Sequence, residues 1–225
     1  MLPTELKVKV MKVLDIDSLP ALVIASKQFY DTYKNAEALI TYVITSKSVK
    51  QFLPQAMAAY AANHADWKGI WPQPSDAELI TKVHEFGRKY LCHPPRPTPP
   101  ILPLNFSFAM AKEMCSLHDT ITRWAILFAT ESRRVTAWEE LHETPATPTA
   151  SELARICYGF YTIQITFDLF PYEFVGDSVG DQPWIMLWRY FAPWEQSFVW
   201  HLYVLIVWIF IDSKCHHQAQ NSLNN

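Results

Sequence analysis

Glycine is scarce in this chain, which has 225 residues and only five glycines. Turns in β structure draw heavily on glycine, so this scarcity favours helices. Cysteine is also rare, and Cys92, Cys115, Cys157 and Cys215 lie far apart in the sequence. A chain of this length can bury a core without disulfide support, and no signal-peptide pattern opens it. We therefore expect reduced thiols and a cytoplasmic or nuclear location.

An excess of positive charge is missing as well, since the formal net charge is −3. Residues 135–225 hold three Lys or Arg against ten Asp or Glu, which gives this part a net charge of −7. Such a surface is repelled by phosphate backbones and by anionic lipids. We therefore expect no nucleic-acid partner.

The C-terminal region lacks an apolar run long enough for a membrane span. The chain is uncharged from Ser197 to Ile211, whereas a membrane-spanning helix needs about twenty apolar residues. This length favours a core helix over a membrane segment. An altered exon boundary in the gene model is a third explanation for the last residues.

The sequence contains several patterns of helical periodicity. Ser75 and Glu78 are spaced as a capping box, and Thr149 and Glu152 open a second helix in the same way. The long segment after residue 104 carries apolar side chains at alternating intervals of four and three, which are Met110, Met114, Leu117, Ile121, Trp124 and Phe128. A similar stripe follows the second capping box, formed by Leu153, Ile156, Phe160, Ile163, Phe167 and Phe170. No segment shows a convincing alternation typical of a strand, so the sequence predicts an all-α fold.

The first thirty residues predict two short helices. Pro3 suits the first turn of a helix, and apolar residues then recur at helical spacing. Asp17 is placed to cap a second helix, whose permissive first turn contains Pro20. Helices this short cannot bury their own apolar faces, so they need a partner.

These residues resemble an F-box, the segment that docks a protein onto the Skp-type adaptor of a cullin ubiquitin ligase. The resemblance is carried by the Leu2-Pro3-x-Glu5-Leu6 start, the Leu14-x-x-x-Ser18-Leu19-x-x-Leu22 middle and the Ser26-Lys27-x-Phe29-Tyr30 end. It implies adaptor contacts from Leu2, Pro3, Leu6, Val10, Leu14, Leu19 and Leu22.

Later motifs extend the resemblance to F-box-like proteins of filamentous fungi. They are Ser151-Glu152-x-x-Arg155-Ile156 and Phe191-x-Pro193-Trp194-Glu195-Gln196. The resemblance implies short N-terminal helices followed by an irregular helical bundle without an established activity. The implied function is a non-enzymatic, cofactor-free receptor that recruits an unknown protein substrate.

The expected organisation has four parts. An F-box-like segment covers residues 1–47, and a helical region with a proline-rich linker covers residues 48–103. A C-terminal helical region covers residues 104–212, and residues 213–225 form a disordered tail. Six prolines fall within residues 94–103, which predicts a stiff polyproline spacer or a P-x-x-P ligand.

Four other interpretations were weighed against the F-box resemblance. The chain could be a helical interaction module that binds no adaptor. Gly176-Asp177-Ser178-Val179-Gly180 matches the nucleophile elbow of serine hydrolases, although no parallel-sheet pattern surrounds Ser178. Cys115 and His118 superficially match metal ligands, but a structural zinc site needs two close ligand pairs, so we expect no metal. Thr144-Pro145 and Thr147-Pro148 mark a loop and could be sites of proline-directed phosphorylation.

Overall fold

The computed structural model describes residues 2–67, 75–92, 106–137, 147–170 and 183–206. Every regular element in these five stretches is a helix, and none of their residues lies in a strand. The prediction of an all-α fold is therefore confirmed.

Nine α-helices occur in the described stretches. Their bounds are α1 Thr4–Met11, α2 Leu19–Ala25, α3 Lys27–Val49, α4 Leu53–Asn63, α5 Asp76–Phe86, α6 Phe108–Ala137, α7 Ala150–Leu169, α8 Pro183–Trp188 and α9 193–206. A 3₁₀ turn, Lys50–Phe52, joins α3 to α4, and a π turn, Gly87–Leu91, ends α5.

Helix α7 lies at the centre of the packing. It contacts α4 and α6, while α3 packs on α6 and both α1 and α2 pack on α3. Helix α9 approaches α7 at Gly159, where an added Cβ would come within 2.7 Å of Leu202 Cδ2. A glycine at this position therefore permits the close contact between the two helices.

Two predicted helix starts are confirmed, and one is wrong. The side chains of Ser75 and Thr149 each accept the backbone N–H of a glutamate three residues later, and that glutamate reaches back to the capping residue. Asp17 does not cap α2. The residue before α2 is Ser18, and the Asp15 carboxylate accepts the Ser18 N–H at 2.6 Å. A three-residue turn thus brings Asp15, not Asp17, to the Ser18 amide.

The long α3 is interrupted in two ways. Ala36 has non-helical backbone angles, which kink the helix. After α3 ends, Lys50 adopts a φ of 53°, a conformation that strains residues other than glycine. Pro54 then lies in the first turn of α4, a position that proline tolerates.

The two long apolar stripes need correction in detail. On α6, Trp124 lies on the exposed side, and the small side chains of Ala125 and Ala129 are buried instead. On α7, the most deeply buried side chains include Tyr161 and Ile165, which lie outside the predicted stripe. The reason is that α7 packs against several helices at once, so burial extends beyond a single face.

The core is continuous across the described stretches. One cluster of buried side chains runs from Met11 in α1 to Phe191 before α9. The expected boundary between residues 47 and 48 falls near the end of α3. The proline-rich segment 94–103, Ser178 and the tail 213–225 lie outside the described residues.

Candidate functional site

The outward face of α1 and of the turn after it is apolar and exposed. Leu2, Leu6, Val10 and Val13 follow one another at intervals of four, four and three, which places them on one side of a helix. Their exposed fractions lie between 38% and 73%. None of the described helices covers this face. We call these four residues the α1 strip.

The opposite face of α1 belongs to the core. Met11 is fully buried, and Leu14 just after the helix is half-buried. The Lys47 ammonium on α3 donates to the Lys12 carbonyl at 2.9 Å. This bond satisfies a carbonyl at the C-terminal end of α1 and fixes the helix on α3.

Helix α2 is divided in the same way. Leu19 and Val23 are buried, and Leu22 is half-buried against the core. Ile24 is 83% exposed, and Tyr30 at the start of α3 is half-exposed. The first thirty residues therefore present apolar side chains both to the core and to solvent.

The seven predicted adaptor contacts fall into two groups. Leu2, Pro3, Leu6 and Val10 are exposed, whereas Leu14 and Leu22 are half-buried and Leu19 is buried. Sequence reasoning did not name the exposed Val13, Ile24 and Tyr30 as contacts. Val13 carried a usable signal, because it continues the spacing of Leu6 and Val10.

Positive charge accompanies the α1 strip. Lys7, Lys9 and Lys12 lie on or just after α1, against a single carboxylate, Glu5. Residues 2–12 therefore carry a net charge of three minus one, +2, and the exposed carboxylates of Asp15 and Asp17 follow directly after them.

Comparison with protein-family models, curated proteins and solved structures gave no match. The geometry of the described residues therefore carries the functional argument.

A groove of about 630 Å³ lies between α4, α6 and α7. Its lining is largely apolar and includes Met114. Two pairs of polar side chains at the groove are hydrogen-bonded to each other. Asn63 Nδ2 donates to Glu113 Oε1 at 2.8 Å, and Gln164 Nε2 donates to Asp168 Oδ2 at 3.0 Å. Such pairing leaves these carboxylates satisfied within the fold.

A half-buried histidine on α6 meets a buried tyrosine on α7. His118 Nδ1 is 3.0 Å from the Tyr161 hydroxyl, and the Phe52 ring lies beside both. Burial raises the pKa of the Cys115 and Cys157 thiols. Because the thiolate is the reactive form, this shift makes both cysteines poor nucleophiles.

Among the described residues, no group of three or more His, Cys, Asp or Glu side chains is arranged to hold a metal ion. No helix in the described part of the chain has the length and apolar character needed to cross a bilayer.

Proposed function

We propose that this protein is the receptor subunit of a cullin ubiquitin ligase, with the α1 strip docking on a Skp-type adaptor. The observation that carries the proposal is the exposure of the strip, which keeps four large apolar side chains in contact with water. Contiguous exposed apolar surface of this kind marks interaction sites. Covering the strip in a complex would remove this cost.

The chemical role follows from the docking. The subunit would perform no bond-making step itself. By holding a target protein beside the conjugating enzyme, it would raise the effective concentration of target lysines there. The remaining helices would hold that target.

A second candidate function is a helical interaction module that binds no adaptor. It is favoured by the burial of Met11, Leu19 and Val23, which makes the N-terminal helices part of the chain's own core. Under this alternative, the α1 strip binds another protein.

The test uses Leu6→Asp, since Leu6 is 46% exposed and its replacement leaves the core intact. The purified full chain is immobilised, and binding of recombinant Skp-type adaptor is measured. A charge at the centre of an apolar interface costs at least about 1.4 kcal/mol, so we expect binding to fall at least tenfold. Leu14 and Leu19 are unsuitable for this test because their loss would also damage the core.

Leu127→Asp is the matched control, because Leu127 on α6 is 49% exposed. It introduces the same charge at a similar exposure, far along the chain from the strip, and should leave adaptor binding unchanged. Wild-type protein that fails to bind the adaptor, or equal binding by the Leu6 variant, would favour the interaction module instead.

A further inference from the structure

The segment that leads into α7 contains three hydroxyl groups within five residues. Thr147, Thr149 and Ser151 all lie on the exposed surface. Residues 147–149 belong to no helix, whereas Ser151 lies inside α7. The three hydroxyls therefore differ in the backbone that a modifying enzyme would meet.

The Thr149 hydroxyl is occupied by the capping box. It donates to Glu152 Oε2 at 2.7 Å and accepts the Glu152 N–H at 3.2 Å. Its modification would break the cap of α7. The Thr147 side chain is exposed to solvent and takes no part in this capping box.

Pro148 distinguishes Thr147 further. A proline disfavours the helical conformation of the residue before it and holds that residue extended. Three Thr-Pro pairs occur in the sequence, at Thr98, Thr144 and Thr147, and the last lies within the described residues. Proline-directed kinases accept an exposed hydroxyl residue that lies outside a helix and is followed by proline, and Thr147 meets these conditions.

We propose that Thr147 is a phosphorylation site for a proline-directed protein kinase. The Thr147 oxygen would attack the γ-phosphorus of ATP, so that a new O–P bond forms while the bond to ADP breaks. The hydroxyl proton passes to the catalytic carboxylate of the kinase. This inference is independent of adaptor binding.

The position also sets the consequence for the fold. The phosphate would stand two residues before the capping residue of α7, where the positive end of the helix dipole tolerates negative charge. The capping box is formed by Thr149 and Glu152, so modification of the Thr147 hydroxyl removes none of its hydrogen bonds. We expect the thermal midpoint of the phosphorylated chain to stay within about 2 °C of the unmodified one.

The experiment incubates the purified full chain with Mg-ATP and a recombinant cyclin-dependent-type kinase, followed by mapping of phosphopeptides by mass spectrometry. We expect phosphate on Thr147, and a loss of at least tenfold at that residue in Pro148→Ala. Thr149→Val should keep modification of Thr147, because its hydroxyl takes no part in the reaction. Thr144→Val removes the hydroxyl of the neighbouring Thr-Pro pair and should also leave the modification of Thr147 unchanged.

Three results would overturn the proposal. They are absence of phosphate on Thr147 in the folded chain, placement of the phosphate on Thr149 or Ser151, and unchanged modification of Thr147 in Pro148→Ala. Circular dichroism of each variant establishes that the helices remain folded.

Discussion

The ionisation of His118 is coupled to the fold. It lies half-buried on α6, with its ring stacked against Tyr161 of α7. Burial lowers the pKa of this imidazole, the nearby Lys50 lowers it further, and Asp119 opposes them. The folded protein therefore favours neutral His118, whose Nδ1 can accept a hydrogen bond from the Tyr161 hydroxyl.

We predict that stability decreases as the pH falls below about 6.5, the ordinary pKa of histidine. In this range the unfolded chain binds a proton at residue 118 that the folded chain does not, so the free energy of unfolding falls with pH. The contribution of His118 to this loss of stability stops growing once the pH is below the pKa of His118 in the folded protein. The measurement is urea denaturation at several pH values between 5 and 8 in wild type and in His118→Gln.

The glutamine variant is the control, because its amide can bond Tyr161 but does not titrate. As the pH falls, the free energy of unfolding should decrease more in wild type than in His118→Gln. Asp15 and Glu78, whose pKa values are lowered by bonds to Ser18 and Ser75, titrate in a more acidic range. A difference that is independent of pH from 5 to 8 would contradict the assignment.

The sequence could not predict this residue-scale arrangement. Cys115 and His118 stand one turn apart on α6, which superficially suggests metal ligands. His118 instead bonds Tyr161, which is 43 residues away. Such a contact depends on how α6 and α7 pack, and the local pattern of either helix does not contain that information.

At the scale of elements, the start of α6 depends on a side chain from α3. The Glu37 carboxylate accepts the Phe108 N–H at 2.8 Å, and the Thr41 hydroxyl donates to the Phe106 carbonyl at 3.2 Å. The first N–H groups of a helix have no partner within it. Glu37 therefore supplies a cap from another element and fixes α6 on α3.

We predict that Glu37→Ala lowers the free energy of unfolding by about 1.5–3 kcal/mol, the range for a hydrogen bond to a charged group. The reason is that the half-buried Phe108 N–H loses its carboxylate partner. Chemical denaturation monitored by circular dichroism measures the change. Glu85→Ala, at an exposed position on α5, should change stability by no more than about 0.5 kcal/mol. Equal effects of the two substitutions would show that the contact with α6 contributes nothing.

Helix starts determined by nearby residues could be predicted, and those determined by packing could not. The capping boxes at Ser75 and Thr149 lie within four residues, so the sequence contains the whole motif. The Glu37 cap joins positions 71 residues apart. Trp124 shows the same limit, since the heptad-like spacing placed it in the core but the packing of α6 buried neighbouring alanines instead.

At the scale of the whole molecule, the N-terminal segment 2–30 contributes side chains both to the core and to the exposed surface. The sequence predicted apolar helices at residues 2–30, but the F-box resemblance assigned all seven predicted contacts to the adaptor. Periodicity identifies apolar residues without stating which surface will cover them. The structure divides the set, with Leu19 in the core and Leu6 facing solvent.

The last prediction tests this division by comparing two leucines that the sequence pattern treats alike. Leu19 is 1% exposed, so Leu19→Ala should leave a cavity and lower the free energy of unfolding by about 2–5 kcal/mol. Leu6→Ala should change it by no more than about 0.5 kcal/mol, because water already reaches that side chain.

Urea denaturation followed by tryptophan fluorescence and by circular dichroism should give coincident transitions in both variants, since the core runs from Met11 to Phe191. Equal losses from the two leucines would place the α1 strip in the core and remove the surface proposed for the adaptor. A separate early transition in Leu19→Ala would instead make the N-terminal helices an independent unit.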